Sequence, residues 1–485
     1  MTDSTISRRS FLLKTVAATA AFAFMPHARI LGANDEVRLA VIGVGWKGGD
    51  HCKQFQKLPG VRIVAICDVD TARMDEVLEK HFKEAAQQPR KYTDLREVLD
   101  QKDIDAVIIA TPNHWHVLAA LWACEAGKDV FVEKPMSHTV WEGQQLVAAA
   151  KKYNRIIQVG TQGRSDPGLQ AVRDHVSAGG LGEIQYVRGI YYNKREPIGN
   201  VTSPQTPPST VDYKLWQGPR NDAPLMRQKF HYDWHWQWAY GNGEQGNNMV
   251  HMLDIAQLVM GLDALPRRVV SMGNRFLFED NGETPNVQSC FYDFEKVPVI
   301  TEVRNLPAGT KTTEMDHIRG LRTGVEVRGS EGYYLGYNAG GWSYDNNNKR
   351  VKQFKGDGGG GHFQNFIDAI RSRKKESLAA TVENGHFSAT LAHLGNISQR
   401  LAEPATGSEL RAAMDKLPLG EALAYDFNDL LLRNNVDVVR WPRRLGPWLD
   451  VDGKAEKFTG ERADEANALL KGTDYREGFT VPQLA

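Results

Sequence analysis

The run Val37-Arg38-Leu39-Ala40-Val41-Ile42 leads directly into Gly43-Val44-Gly45-Trp46-Lys47-Gly48, and no other stretch of the 485-residue chain restricts its fold as strongly. A short apolar run before G-x-G-x-x-G predicts a buried strand, a tight turn and a helix. The first glycine permits the turn, the second lets backbone N–H groups approach a pyrophosphate, and the third allows the helix to pack closely on the strand. The anion then sits on the helix N-terminus. A second apolar run, Val61 to Cys67, ends in Asp68, 25 residues after the first glycine. A carboxylate there accepts hydrogen bonds from the adenosine ribose hydroxyls and repels a 2′-phosphate, so NAD is expected in preference to NADP.

The alternation continues with a strand over Ile104–Ala110, a helix over Trp115–Ala126 closed by Gly127, and a strand over Asp129–Val132. A helix opened by the capping box Thr139-Val140-Trp141-Glu142 and a strand over Arg155–Gly160 follow. This spacing predicts an α/β fold with a parallel, doubly wound sheet of the Rossmann type. Loops at the carboxyl ends of such strands form the ligand crevice. They are Thr111-Pro112-Asn113-His114-Trp115-His116, Glu133-Lys134-Pro135 and Thr161-Gln162-Gly163-Arg164. The expected cofactor set is Gly43, Gly45, Trp46, Lys47, Gly48, Asp68, Thr111, Asn113, His116, Glu133, Lys134 and Gln162.

Composition narrows the function class. With 59 Lys+Arg against 59 Asp+Glu, the chain has no basic surplus for neutralising phosphates, so no nucleic-acid partner is expected. Cys52, Cys67, Cys124 and Cys290 lack C-x-x-C spacing and read as small buried hydrophobes, with no metal centre implied. Ser7-Arg8-Arg9-Ser10-Phe11-Leu12-Leu13-Lys14, followed by apolar and small residues from Thr15 to Met25, resembles a twin-arginine export signal. The hydrophobic stretch is too short to span a bilayer, and cleavage after Ala28 or Ala33 fits equally. A periplasmic protein without stable membrane insertion is expected, exported folded and holding its cofactor tightly.

Glu133-Lys134-Pro135, the glycine fingerprint and Thr111-Pro112-Asn113 together resemble the glucose-fructose oxidoreductase and inositol dehydrogenase family (Gfo/Idh/MocA). The resemblance extends through Gly179-Gly180-Leu181-Gly182-Glu183-Ile184 and Trp216-Gln217-Gly218-Pro219 to His251-Met252-Leu253-Asp254. It implies a C-terminal α/β domain built on an open, mostly antiparallel sheet whose face closes over the nicotinamide, and a homo-oligomer assembled through that sheet. The expected division is a signal over 1–33, a Rossmann domain over 34–158, a substrate domain over 159–402 and an extension over 403–485 wrapping the body.

The resemblance gives Lys134 a place beside the nicotinamide and the reacting hydroxyl. It also aligns His251 and Asp254 with the family's D-x-G-x-H-x-x-D motif, but Asn247 replaces the Asp and Met249 the Gly, which leaves His251 as the base. Oxidation of a carbinol needs the hydroxyl proton removed and the developing alkoxide stabilised, roles suited to an imidazole and an ammonium. Lys134 and His251 are therefore the expected catalytic pair, acting on a secondary hydroxyl of a sugar or glycoside, with C3 one candidate position. Arg164, His231, His235, Trp236, Asn247 and Asp254 are expected on the substrate.

The segment His231-Tyr232-Asp233-Trp234-His235-Trp236-Gln237-Trp238-Ala239-Tyr240 reads equally as a sugar-stacking wall and as core, in strand-like surroundings that disfavour a metal between His231 and His235. A second reading is a glycoside hydrolase that oxidises transiently and eliminates, with His231, His235 or Glu244 as the additional base. A third is a sugar-binding protein with a vestigial nucleotide pocket. Gly358 to Gly361 reads as a flexible loop, followed by a core-packing helix that carries Phe363, Phe366, Ile367 and Ile370 and pairs with a helix over Glu383–Ala402.

Overall fold

The computed structural model describes residues 36–295, 297–472 and 475–485. The export-signal segment lies outside the described residues. Six parallel strands form the first sheet: β1 (Val37–Ile42), β2 (Val61–Cys67), β3 (Arg90–Tyr92), β4 (Ala106–Ile109), β5 (Asp129–Val132) and β6 (Ile157–Val159). Their order is β3-β2-β1-β4-β5-β6, the doubly wound arrangement with its crevice where the order reverses between β1 and β4. The strands are apolar on both faces because helices cover both. Ala40, Ile42, Val107 and Ile109 enter one core, and Leu39, Val41, Ile63 and Ile108 the other.

That second core also contains Phe366, Ile367 and Ile370 from the helix His362–Ser372. The expected pairing with the following helix is therefore corrected. Val382–Arg400 sends Leu391, Ala392, Leu394 and Ile397 into a different core, under the second sheet. Helical periodicity identifies a buried face but not the core that receives it. The glycine run is also held rather than loose: Asp166 accepts from the backbone N–H groups of Asp357 and Gly358, and Asp357 from those of Gly359 and Gly360. Thr139 caps the helix Val140–Lys152 as expected, but the Glu142 carboxylate accepts from His138 N, Arg220 and the Tyr475 hydroxyl instead of closing the box.

The second sheet runs through β7 (Ile184–Tyr192), β8 (Arg268–Asn274), β9 (Val287–Asp293), β10 (Val299–Arg304), β11 (Thr323–Gly329), β12 (Gly332–Tyr337), β13 (Gly340–Asp345) and β14 (Arg350–Lys355). Their order is β14-β13-β12-β11-β7-β10-β9-β8, antiparallel except for the parallel pair β7 and β10. Alternation along the strands sends Val269, Tyr292 and Val299 against the helices Met249–Met260 and Val382–Arg400. Val270, Phe291 and Ile300 face the other way, onto the helices Gly407–Met414 and Gly420–Arg433. This face is thus covered over β8 to β10 by the chain's own C-terminal segment. All four cysteines are buried and free. No described helix is long and apolar enough to cross a membrane.

Candidate active site

A cavity of about 1030 Å³ opens at the carboxyl ends of β1, β2, β4 and β5 and reaches across to the second domain. The glycine turn shapes its floor. Gly43 has φ +81°, and a Cβ there would lie 2.8 Å from the Ala110 backbone. A Cβ on Gly48 would lie 1.8 Å from Gly43 O, so the third glycine packs beneath the cavity and does not line it. A Cβ on Gly45 would meet no protein atom within 4 Å. The space above Gly45 is therefore reserved for a ligand and not for packing, which fits a pyrophosphate on the first turn of the helix Trp46–Phe55. Gly48→Ala should lower stability by about 1–3 kcal/mol, because the added methyl must push the helix away from the turn. Thermal denaturation with and without NAD checks this, with the NAD-induced gain expected to shrink as well.

Asp68 stands at the end of β2, its carboxylate accepting from Val44 N (2.8 Å) and Asp70 N (2.9 Å). Burial raises its pKa to about 6, against the pull of those two bonds. Thr111 Oγ1 and Gln162 Nε2 are buried at the cavity without protein partners. Buried polar groups in folded proteins are normally satisfied, so these two await a ligand. Lys47, Asn113, His116 and the exposed ring of Trp46 complete the nucleotide side.

At the inner end lies Lys134, next to the cis Lys134-Pro135 bond. Its Nζ donates to Asn247 O (2.7 Å) and Asn247 Oδ1 (3.1 Å), leaving one N–H for the cavity. Burial lowers its pKa, and the Glu133 charge opposes that shift. Because Asn247 is an amide and not a carboxylate, it orients the ammonium without neutralising it. His251 occupies the first turn of the helix Met249–Met260, which is otherwise apolar almost all round and lies between the sheet and a second helix. It lines the same cavity. Burial, reinforced by the Lys134 charge, pushes its pKa down to about 3, so the ring is neutral and carries a lone pair that can accept a hydrogen bond.

His235 is the second neutral imidazole of the cavity. Its Nδ1 donates to Tyr232 O (2.6 Å), its ring stacks on Trp234 at 3.7 Å, and burial pushes its pKa to about 3. The proton is thereby fixed on Nδ1, and Nε2 is left as an acceptor. The surrounding segment is a turn of 3₁₀ helix over Asp233–Trp236, not the strand-like stretch expected.

Several expected substrate residues lie elsewhere. His231 lines the cavity, but at its ribose end, with Nε2 2.9 Å from the Asp70 carboxylate. Arg164 and Asp254 form a buried ion pair at 2.8 Å behind the cavity, with Gln257 as a further partner of Arg164. Asp254 follows His251 by three residues on a helix buried on several sides, so it turns into the domain interior. Trp236 is buried against Tyr232 and under Arg195. No group able to hold a metal is found among the described residues.

Trp234, from the aromatic segment read as a sugar-stacking wall, lines the cavity, whereas the sequence reading missed Tyr191, Arg195, Asn248 and Asn338, which also line it. Arg195 donates to Glu244 (2.6 Å), Tyr191 Oη (3.0 Å) and Tyr232 Oη (3.2 Å). Glu244 is thereby occupied, also receiving the Asn248 amide. The aromatic and charged run from the end of β7 onward is a usable signal for Tyr191 and Arg195, whereas nothing local marks Asn338.

Residues 37–161 match the model of the GFO_IDH_MocA family, described as an oxidoreductase family with an NAD-binding Rossmann fold. The chain is 31% identical over 159 residues to inositol 2-dehydrogenase of Salmonella typhimurium, covering 32% of this chain and 46% of that protein. It is 45% identical over 120 residues to glycosyl hydrolase family 109 protein 1 of a Shewanella species, covering 24% of this chain and 26% of that protein. The matched stretches span less than half of either curated relative. Among solved structures, the WlbA dehydrogenase from Bordetella pertussis in complex with NADH and UDP-GlcNAcA superposes with TM-score 0.55 at 18% identity, covering 75% of this chain and 97% of that one. GenD2 from gentamicin A biosynthesis in complex with NAD gives TM-score 0.54 at 19% identity, over 74% and 93%. These neighbours share the two-domain fold, and the N-terminal domain here is an NAD-binding Rossmann domain.

Proposed function

We propose that this chain is an NAD-dependent oxidoreductase of the Gfo/Idh/MocA family acting on a secondary hydroxyl of a sugar or glycoside. One observation carries the reading. The Lys134 ammonium, oriented by Asn247 with one N–H to spare, shares a cavity with the neutral His251 at the switch point of an NAD-binding sheet. Bound NAD supplies the acceptor for the hydrogen of the carbinol carbon. His251 takes the hydroxyl proton, and Lys134 donates to the oxygen as its charge develops. Trp234, Tyr191 and Tyr232 offer aromatic faces for the C–H surface of a sugar ring. The Arg8-Arg9 segment supports export of the folded protein to the periplasm with its cofactor inside, and the family resemblance supports a homo-oligomer.

A second reading, glycoside cleavage by transient oxidation and elimination, is favoured by His235. Of the three candidate bases, Glu244 is engaged by Arg195 and His231 sits at the ribose end against Asp70, whereas His235, its Nδ1 bound to Tyr232 O, keeps Nε2 as an acceptor near Lys134. The protein purified without added nucleotide, mixed with a panel of glucosides and galactosides, tests both. A lasting rise in reduced-nicotinamide absorbance with a sugar lighter by two hydrogens is expected for the oxidoreductase. Free aglycone with only a transient rise establishes elimination. Absence of bound nucleotide and of any product refutes both and favours a binding protein.

A further inference from the structure

Directly behind the catalytic loop, the side chain of His51 is completely buried on the helix Trp46–Phe55, with Nε2 2.8 Å from Glu133 Oε1. The other carboxylate oxygen, Oε2, accepts the backbone N–H of Lys134 at 3.1 Å. We propose that His51 is a positioning residue for Lys134: by donating to Glu133 it holds a buried carboxylate charged and aimed, and that carboxylate supplies the counter-charge and backbone anchor of the lysine. The proposal rests on the reading of Lys134 as the reacting ammonium.

The local chemistry leaves little alternative use for an imidazole here. Glu133 is an acceptor, so the proton of a neutral His51 must sit on Nε2. Its Nδ1 then faces an apolar cluster without a partner, the ring lying edge-on to Phe131 (5.2 Å) and Phe363 (5.6 Å). An unsatisfied buried nitrogen works against stability, and a phenylalanine of similar shape would suit that cluster better. Packing alone therefore disfavours histidine, whereas the bond to Glu133 requires a donor.

The carboxylate is closely confined as well. It packs against the backbone of Gly160, where an added Cβ would lie 2.9 Å from it, so only glycine leaves the carboxylate room there. The groups that influence it are His51 and Lys47 (3.7 Å) from the same helix, Lys134 beside it, and more distantly His116, His362 and His251 from three other helices. Burial alone would raise the Glu133 pKa, and the His51 bond with the neighbouring lysines more than reverses that. Without a donor at position 51 the carboxylate loses one of the two bonds that aim it, and its counter-charge and backbone anchor act less well on Lys134.

The test is the ionisation of Lys134 in the purified, nucleotide-bound protein, followed by NMR after reductive ¹³C-methylation, with its signal assigned by its absence in Lys134→Arg. In His51→Phe the midpoint of the Lys134 titration should fall by about one pH unit, and kcat should fall more than KM changes. His51→Gln, which keeps an N–H donor near Nε2, should restore both. An unchanged Lys134 titration in a folded His51→Phe protein overturns the proposal and makes His51 a packing residue. Should that variant not fold, ¹⁵N-histidine NMR of the unaltered protein decides. The Nε2–H tautomer is expected for His51, and the Nδ1–H tautomer overturns it. Because the titration does not depend on turnover, it remains decisive even if Lys134→Ala proves active, an outcome that would refute the catalytic reading of Lys134 separately.

Discussion

Lys134→Ala should lower turnover by about 10²–10⁴-fold while the purified protein keeps its nucleotide. Among the described residues, the ammonium is the cation next to the neutral His251 at the inner end of the cavity: Lys47 lies beside Glu133 and Asp50 on the nucleotide side, and Arg195 is directed at Glu244, Tyr191 and Tyr232. The groups proposed to hold the nucleotide are mostly elsewhere, in the glycine turn, Asp68, Thr111 and Gln162. Truncation therefore removes an interaction that strengthens as charge develops, and it should appear in kcat rather than in cofactor retention. Lys134→Arg restores a charge, but a planar fork does not reproduce the paired contacts to Asn247 O and Oδ1, so recovery should be partial. Steady-state kinetics together with the nucleotide content after gel filtration checks the prediction. Wild-type turnover in Lys134→Ala would remove the basis of the proposed mechanism.

The second large effect is loss of stability in mild acid. His114 is buried with its pKa pushed down to about 3, and His362 and His393 to about 4, in each case chiefly by burial. The unfolded chain begins to take up these protons near the ordinary value of 6.5, whereas the folded chain does not until far lower pH. Stability therefore falls as pH drops below about 6.5 and continues to fall until the folded-state values are reached. Each group costs about 1.4 kcal/mol per pH unit over that range, so the three together cost about 6 kcal/mol at pH 5. That is a large share of the 5–15 kcal/mol of a typical domain, on the order of half. His235 and His251 shift the same way, with smaller effects because cavity water screens them. Asp68, Glu142 and Asp254 work in the opposite sense, since burial raises their pKa values and lets the folded state bind protons first, which offsets part of the histidine effect. Denaturant unfolding at a series of pH values should give a steep decline between about pH 6.5 and 4.5. A flat profile across that window would show that the buried histidines are not neutral.

Legibility in the sequence followed the range of the interactions. β1, β2 and β5 were predicted at their observed bounds, and Gly43, Gly45, Asp68 and Lys134 were singled out because short-range geometry governs them. A tight turn, a helix N-terminus and the end of a buried parallel strand each leave a pattern within a few residues. The same local logic misplaced Arg164 and Asp254. Their polarity and spacing suggested ligand contact, but they neutralise each other across 90 residues inside the domain. It also missed His51, which touches Glu133 across 82 residues, and Arg195, which reaches Glu244 across 49.

The sequence by itself determined the nucleotide fold, its glycine turn and the loop that carries Lys134, because backbone conformation and hydrophobic periodicity are written in consecutive residues. Only the tertiary structure decided which core received the helix His362–Ser372, and that the sheet face behind β8 to β10 is covered by the helices Gly407–Met414 and Gly420–Arg433. It likewise decided which ring nitrogen is bound in two of the cavity imidazoles, Nε2 of His231 by Asp70 and Nδ1 of His235 by Tyr232 O. An amphipathic helix states that it has an apolar face but not where that face is buried. A histidine's role depends on which of its two nitrogens finds a partner, and the partner is supplied by distant chain that only packing brings near.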